Sequence, residues 1–317
     1  MARKYSAKKR MNKIEPAVLT MSFALPSGAA TSTIDLSQVA SMMNRRFYRQ
    51  GINWAVAGFK IISPAGATGA LSVAQLPNTW VMSNAWEKTF RAWSRQQDDV
   101  LDDGVQESVK ARFNDFKVFA DSDHLTAGFA GNLMPVDFAG APFVPGEWQA
   151  SQIVIPNFGA PGVNYEPFLT AVGAKVGGAG GAYSLIDLYE NSRSTPQSPD
   201  PAVPGDVLSA DNILNLMFDV GDNNTDVLAN VVGKNDELPY VQDNYPGGAV
   251  QAPTLQYHDS ALISGTTIGG VTSLKGGNFP CGLIRVSSNI DQANTLFVVN
   301  LIPGNHRGYL CEPMTEM

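Results

Sequence analysis

The hydrophobic and polar positions of this 317-residue chain follow the pattern of short strands separated by turns. Runs rich in β-branched and aromatic residues alternate with clusters of Gly, Pro, Asn and Asp. Alternation is clear at Phe297, Val299 and Leu301, where every second side chain would lie on one face of a sheet. The pattern predicts about nine strands, over residues 17–25, 52–63, 71–82, 113–120, 149–156, 182–189, 258–267, 281–288 and 295–303.

Two helices are predicted to interrupt the strands. Asp35 can cap the first, which runs to about Gln50 and is followed by Gly51 in the position that ends a helix. The second begins near Asn84, whose side chain and Glu87 fit a capping box. The absence of a regular helix between successive strands argues against βαβ units and favours a sandwich or barrel.

The second predicted helix carries three aromatic residues at helical spacing, namely Trp86, Phe90 and Trp93. Such a stripe can stack nucleic-acid bases, but it more often packs into a core. We therefore predict a core position for it.

The composition limits the class of protein. Charged residues make up 16% of the chain, against roughly 25% in an average soluble protein, and 30 glycines and 20 prolines indicate many turns. No uninterrupted apolar run approaches the roughly 18 residues that a membrane-spanning helix needs. Cys281 and Cys311 are too few for a disulfide framework and match no zinc spacing, which predicts buried free thiols.

Positive charge is concentrated at the start of the chain. The net charge is −7, yet residues 1–50 carry nine cations and two acids, so the remaining residues hold an excess of 14 negative charges. We predict that residues 1–16 form a basic arm that binds a polyanion, with a solubilising tail or a nuclear address as alternatives. The cations of the arm are Arg3, Lys4, Lys8, Lys9, Arg10 and Lys13.

Three further cations, Arg45, Arg46 and Arg49, fall in the last turn of the first predicted helix. Because the helix dipole favours cations there, two interpretations stay open, helix stabilisation and contact with a polyanion. We include these arginines with the arm in the predicted nucleic-acid-binding set.

Residues 191–257 form the longest stretch without a strand pattern. The segment opens with four prolines and contains nine acids against two cations, a net charge of −7. A loop of this length inside a compact domain is functional or forms a small excursion of its own. We predict a surface insertion that faces away from whatever the basic arm binds.

The chain carries no recognisable catalytic constellation, and we predict neither enzyme activity nor a cofactor. Its three histidines occur outside any triad context, and there is no Gly-x-Ser-x-Gly elbow. The group Asp121, Asp123 and His124 and the pair His258–Asp259 are weak metal candidates. We predict no metal site.

Three stretches of the chain are similar to viral coat proteins: MNRRFYRQGINWAVAGFKI, TWVMSNAWEKTFRAW and FVVNLIPGNHRGYLCEPM. The order of a basic arm, a first strand over residues 17–25, about eight body strands and a long loop between the sixth and seventh points the same way. This order resembles the single jelly-roll capsid proteins of small circular single-stranded DNA viruses. The resemblance covers nearly the whole chain, although the arm is shorter and less arginine-rich than in many such proteins.

The resemblance implies an all-β fold, a single eight-stranded jelly-roll β-sandwich over residues 17–317 with two short helices and with residues 191–257 as an outer projection. It implies self-assembly into an icosahedral shell of 60 copies or a multiple of 60, which encloses viral single-stranded DNA through inward-facing basic residues. It further implies a virion location after assembly in the host cell or its nucleus, an unidentified host receptor, and no membrane partner. The alternative is a secreted or surface β-sandwich that binds glycan or protein through Trp54, Trp80 or Trp148.

Overall fold

Strands account for most of the regular structure in this computed structural model, which describes residues 15–102, 116–156, 164–173, 181–192, 254–266 and 268–317. The strands are β1 (Thr20–Ala24), β2 (Ala30–Asp35), β3 (Ile52–Ile62), β4 (Gly69–Gln75), β5 (Ile155–Pro156), β6 (Asn164–Tyr165), β7 (Phe168–Thr170), β8 (Ala182–Ser184), β9 (Gln256–Ile263), β10 (Val271–Phe279), β11 (Leu283–Ser288), β12 (Leu296–Leu301), β13 (Pro303–Gly304), β14 (Gly308–Tyr309) and β15 (Cys311–Pro313). The helices are α1 (Leu36–Asn44), α2 (Trp80–Asp102), α3 (Ser122–Ala127) and α4 (Leu185–Asn191).

The longer strands pair as an antiparallel ribbon that runs out and back. β1 pairs with β12, β2 with β11, β3 with β10, and β4 with β9. Further antiparallel pairing of β12 with β3 and of β11 with β4 joins these pairs into two sheets, with the orders β1-β12-β3-β10 and β2-β11-β4-β9. The short β15 extends the first sheet beside β3. The predicted all-β class is confirmed, and the two antiparallel sheets are consistent with a sandwich.

The main hydrophobic core draws side chains from both sheets. Phe59 of β3 stacks on Phe297 of β12 with ring centroids 5.2 Å apart, and Phe279 of β10 meets Phe59 edge-on at 5.5 Å. Ile284 and Val286 of β11 enter the same core from the other sheet. Side chains from the two sheets therefore face one shared interior, with Phe297 and Val299 of β12 and Ile284 and Val286 of β11 at the spacing of two that a strand requires.

One side of the sandwich is covered by a segment from the connection between β4 and β9. The backbone N–H of Val136 donates to the Ser22 carbonyl of β1 at 2.7 Å, and the N–H of Leu133 donates to the Thr33 carbonyl of β2 at 2.8 Å. Both sheet edges on that side thus find backbone partners, which blunts their tendency to pair with other chains.

The same connection builds a second hydrophobic cluster around α2 and α4. It buries Trp86, Phe116, Leu169 and Leu185, and the buried Cys281 also belongs to it. Both cysteines are free, with Cys281 buried as predicted and Cys311 half-buried. No helix within the described ranges is long and apolar enough to cross a membrane.

Among the eight long strands of the two large sheets, the hydrophobic pattern misses two, β2 and β10. It also misses the short strands β6, β7, β14 and β15. β2 reads ATSTID, mostly small and hydroxyl side chains, and β10 contains two adjacent glycines that indicate a turn. Those glycines serve close packing instead of a turn. A Cβ at Gly276 would lie 2.2 Å from the Val56 carbonyl oxygen, and one at Gly277 would lie 2.7 Å from the His258 imidazole.

Three predicted strands belong to neither large sheet. Within 113–120, the described residues 116–120 contribute only an isolated bridge at Phe119, and 149–156 contributes the two-residue β5 and a further bridge. In 182–189, the three-residue β8 leads directly into α4. The helical spacing there explains the error, because the buried side chains of α4 are Leu185, Ile186, Leu188 and Tyr189.

The helices differ from the prediction in number and length. α2 begins at Trp80 and has 23 residues, so it is neither short nor capped by Asn84. Thr79 occupies the start instead, since its hydroxyl accepts a hydrogen bond from the Met82 N–H at 3.4 Å and its carbonyl accepts one from the Ser83 N–H at 3.1 Å. This start shortens the predicted strand 71–82, which ends as β4 at Gln75.

Candidate nucleic-acid interface

The three predicted arginines lie in a loop after α1, because the helix ends earlier than its sequence pattern indicates. α1 stops at Asn44, and Arg45 takes a left-handed conformation (φ 53°) while its N–H still donates to the Ser41 carbonyl. A residue in this conformation turns the chain away from the helix axis. The last turn of α1 contains no basic residue, so the predicted position of Arg45, Arg46 and Arg49 inside that turn is wrong.

Two serine hydroxyls of α1 hold this loop, residues 45–51, against the helix. The Ser41 Oγ accepts a hydrogen bond from the Tyr48 N–H at 2.9 Å, and the Ser37 Oγ donates to the Arg49 carbonyl at 3.0 Å. The ring of Tyr48 is fully buried in the sandwich core. The loop backbone is therefore fixed, while the arginine side chains extend outward.

The end of the loop is anchored by two buried polar residues, Asp35 and Gln50. The Asp35 carboxylate caps α1 and also accepts hydrogen bonds from Gln50 Nε2 at 3.2 Å and Trp148 Nε1 at 2.9 Å. The Gln50 amide forms two hydrogen bonds with the backbone of Val118. Burial raises the pKa of Asp35 to about 6, although these hydrogen bonds act to lower it.

A fourth arginine reaches this loop from the other end of the chain. The Arg307 Nη1 donates to the Phe47 carbonyl, and the Tyr48 hydroxyl donates to the Arg307 carbonyl at 3.0 Å. Burial lowers the pKa of His306, and the charges of Arg307 and Arg49 lower it further, so both arginines lie near one imidazole. We call this group the arginine cluster: Arg45, Arg46, Arg49 and Arg307.

The sequence pattern misses Arg307, because 260 positions separate it from its partner Phe47. Its local setting offers one signal, the two glycines Gly304 and Gly308 that flank it. They form the paired ends of the β13–β14 hairpin. A basic residue at the tip of a short hairpin is exposed, which is the setting of many binding residues.

The ion pairs of the cluster leave two arginines available to a ligand. Arg46 Nη1 lies 2.7 Å from Glu15 Oε2, and both side chains are partly exposed. Arg45 and Arg49 are exposed and form no ion pair with any carboxylate in the described part of the chain. Exposed guanidinium groups of this kind bind phosphate through several N–H donors.

The basic arm is attached beside the arginine cluster. Glu15, the first described residue, pairs with Arg46. Three residues further on, the Val18 N–H donates to Asn44 Oδ1 at 3.0 Å, and the Tyr309 hydroxyl donates to the Val18 carbonyl at 2.7 Å. The six cations of the arm precede Glu15 and lie outside the described residues, so their predicted role stays a prediction.

Replacing Asn44 by alanine is expected to destabilise the fold by about 1–2 kcal/mol, because the Val18 N–H loses its acceptor and the Tyr309 hydroxyl loses a donor. Urea unfolding measures the loss. The matched control is Asn305→Ala, at an exposed hairpin position, and it is expected to change stability by less than about 0.5 kcal/mol. Equal losses in the two variants would contradict this account of how the arm is anchored.

No protein-family model, curated protein or solved structure matches the chain.

The side chains of the stronger metal candidate are engaged with other protein groups. Arg285 lies against the Asp121 carboxylate and 3.7 Å from Asp123 Oδ2. His124 Nδ1 accepts a backbone N–H at 3.0 Å, and its Nε2 lies 2.8 Å from Asn132 Oδ1. Within the described ranges, no three His, Cys, Asp or Glu side chains are placed to hold a metal ion.

The aromatic stripe of α2 packs into the second hydrophobic cluster, as predicted. Trp86 is 6% exposed and stacks on Phe90 with ring centroids 5.0 Å apart, and Phe116 meets Trp86 edge-on at 5.9 Å. Phe90 and Trp93 are half-buried against the same cluster.

Two of the three tryptophans expected as glycan platforms are engaged within the protein. Trp54 is 1% exposed and packs between Tyr48 and Tyr309. The Trp148 indole donates to the buried Asp35 carboxylate. Trp54 therefore presents no free ring face of the kind that sugar stacking requires. The Lys117 ammonium lies over the Trp148 ring, 4.2 Å from its centroid.

Proposed function

We propose that this chain is a capsid protein with a jelly-roll fold, which self-assembles into an icosahedral shell and encloses single-stranded DNA. The basic arm and the arginine cluster are the proposed contacts with DNA phosphates. The shell is made of copies of this chain, in 60 subunits or a multiple of 60.

The observation that carries the proposal is the pairing order of the long strands. The first pairs with the last, the second with the last but one, and so on inward to β4 and β9. Such a ribbon, folded into two packed sheets, is the arrangement expected of a jelly roll built from two Greek keys, and it supports the proposed fold. Jelly rolls occur in viral capsids, lectins and cupins. The topology therefore limits the candidate functions to a few classes, and a further observation has to choose among them.

The charge distribution favours the capsid among these functions. The arginine cluster and the attachment point of the arm lie together, with Arg46 beside Glu15. Cations of the arm and of the cluster would then neutralise the same stretch of nucleic acid. A site for a small or uncharged ligand does not require such a concentration of positive charge.

The acidic residues 191–257 are the proposed outward projection and the place where a host receptor would bind. This part of the proposal rests on segment length and charge alone. Most of the segment lies outside the described residues.

The experiment that tests the proposal is negative-stain microscopy of the purified full chain at low and high salt, with the absorbance ratio at 260 and 280 nm recorded on the same fractions. We expect uniform shells that carry nucleic acid. Monomers or small oligomers under every condition would contradict the proposal and favour a glycan- or protein-binding module.

The contribution of the arm is tested by deleting residues 1–13, which should give shells depleted of DNA. The matched control keeps the length of the arm and replaces its six cations by glutamine. Because phosphate binding depends on charge, both variants are expected to lose DNA to a similar degree. Full DNA content in the glutamine variant would exclude the arm as a packaging element.

A further inference from the structure

A small pocket lies beside the arginine cluster, between the loop of residues 45–51, helix α2 and the end of the chain. Its volume is about 190 Å³, and its lining consists of Arg49, Gly51, Trp86, Phe90, Phe116, Pro313 and Thr315. Arg49, Pro313 and Thr315 are exposed, whereas Trp86 and Phe116 are buried. The pocket therefore joins a solvent-exposed arginine to an aromatic interior.

The size of the pocket suits one flat aromatic group. An apolar cavity of about 150 Å³ holds a benzene molecule, so about 190 Å³ accommodates a ring with small substituents. Phe90 and Phe116, whose ring centroids lie 5.8 Å apart, both contribute aromatic surface to the lining. Every nucleobase has a π face that stacks on such side chains regardless of sequence.

One residue of the pocket lining, Trp86, has a hydrogen-bond donor without a partner among the described residues. Its indole Nε1 is buried, and a buried donor left unpaired is costly. Its position is fixed by packing, because the six-membered ring of the indole lies so close to Gly51 that an added Cβ would be 2.1 Å from Cζ2. Nucleobases carry carbonyl oxygens and ring nitrogens, which are acceptors of the kind that this N–H lacks.

We propose that this pocket binds one base of single-stranded DNA, stacked on Phe90 and Phe116, while Arg49 contacts the adjacent phosphate. The inference rests on the proposed function and adds a binding mode to it, since the arginine cluster alone would bind only the phosphate backbone. Binding of this kind fixes the path of the strand at the subunit without reading its sequence.

The test compares the affinity of the full-length protein for a thymidine decamer and for a decamer of abasic residues, which keeps the phosphates and lacks the bases. Fluorescence anisotropy at one fixed salt concentration gives both dissociation constants. We expect the wild-type protein to bind the thymidine decamer about five-fold or more tightly, the lower range of one base stacked on an aromatic side chain. Phe90→Leu should bring this ratio close to one, because it keeps an apolar side chain and removes the ring.

Two matched controls accompany Phe90→Leu. Phe138→Leu changes a fully exposed aromatic residue far along the chain and should leave the ratio unchanged. Arg45→Gln and Arg49→Gln remove the same charge from the same loop, but only Arg49 lines the pocket. Arg49→Gln is therefore expected to weaken binding of the thymidine decamer more than Arg45→Gln does.

Failure of the pocket and failure of the proposed function are distinguishable. If the wild-type protein binds neither decamer, the proposed DNA-binding function itself fails. If it binds both equally, or if Phe90→Leu keeps the wild-type ratio, DNA binding stands and the pocket proposal is overturned. Photo-crosslinking of a 5-iodouracil oligonucleotide to wild-type protein needs no variant to fold, and crosslinks that all fall outside Trp86, Phe90 and Phe116 would also overturn it.

Discussion

The His124→Gln variant is expected to fall behind the wild type by about 3 kcal/mol in free energy of unfolding as the pH rises from about 4 to 6.5, because only the wild type gains stability over this range. Replacing Asp35 by asparagine is expected to have the opposite effect, a relative gain of about 3 kcal/mol as the pH rises from about 4 to 6. Both figures follow from the difference between the folded and unfolded pKa of each group, 6.5 against about 4 for His124 and 3.8 against about 6 for Asp35, at about 1.4 kcal/mol for each tenfold change in proton affinity.

The sign for His124 follows from its burial. Burial lowers the pKa of His124 from 6.5 to about 4, and the charge of Arg285 lowers it further, while the hydrogen bond to Asn132 and the charge of Asp121 raise it. The unfolded chain therefore binds the proton more strongly than the folded chain. The stability that His124 contributes is fully present above pH 6.5 and is lost as the pH falls through 4. A variant without this imidazole lacks the rise in stability.

The sign for Asp35 is reversed, because burial raises its pKa from 3.8 to about 6. The folded state binds the proton more strongly, so the stability from this group is fully present below pH 3.8 and is lost as the pH rises through 6. The two groups belong to one buried network. The Gln38 N–H donates to Asp35, and the Gln38 side chain accepts from Asn132, which bonds His124.

Urea unfolding followed by tryptophan fluorescence at pH 4, 5, 6 and 7 measures both effects as differences from the wild type. A loss of stability that is equal at every pH does not test the prediction. Only the change of the free energy of unfolding with pH reports the protonation of the two groups. Asp99→Asn removes an exposed carboxylate of α2 and serves as the control for a change in charge. Parallel curves for the wild type and both buried variants would contradict the assigned pKa shifts.

Local sequence patterns predict the strands that carry apolar alternation but not those that are polar. β11 and β12 are recognisable because Val286, Phe297 and Val299 are apolar at a period of two. β2 and β10 lack this apolar alternation, so the sequence pattern does not predict them. Pairing with β11 and β3, and not their own side chains, places them in the sheets. The sheet assignment of such strands depends on contacts that span most of the chain, which is a property of the fold and not of a local window.

The residues of the candidate site also fall into a group that the sequence predicts and a group that it does not. Arg45, Arg46 and Arg49 stand out as a basic group in the sequence, and three residues of the pocket, Gly51, Trp86 and Phe90, lie in predicted elements. Their meeting with Phe116, Pro313 and Thr315 depends on β15 pairing with β3 and on which residues pack against α2. The pattern predicts a core position for the aromatic stripe of α2 but neither of these partners. Sequence analysis therefore finds the charge of the site but not the aromatic pocket beside it.

Replacing Arg45, Arg46 and Arg49 together by glutamine is expected to weaken binding of single-stranded DNA about 100-fold at 0.1 M salt, if each arginine contacts one phosphate. Each contact with single-stranded DNA contributes about 0.7 to the slope of log affinity against log salt concentration, so the loss of three lowers the slope by about 2. Affinities for a 30-residue thymidine oligonucleotide between 0.05 and 0.5 M salt give both values. The fold should be retained, because the contacts that hold this loop come from the backbone and from Tyr48 and Gln50.

Two controls separate local contact from overall charge. Lys60→Gln, Lys275→Gln and Arg95→Gln in one chain remove the same three charges from other exposed positions, and this variant is expected to keep most of the wild-type slope. Glu15→Gln removes the carboxylate that competes with phosphate for Arg46 and should increase the affinity. An equal loss of affinity in the two triple variants would mean that DNA binding depends only on the net charge of the protein. It would contradict a specific contact between the arginine cluster and DNA.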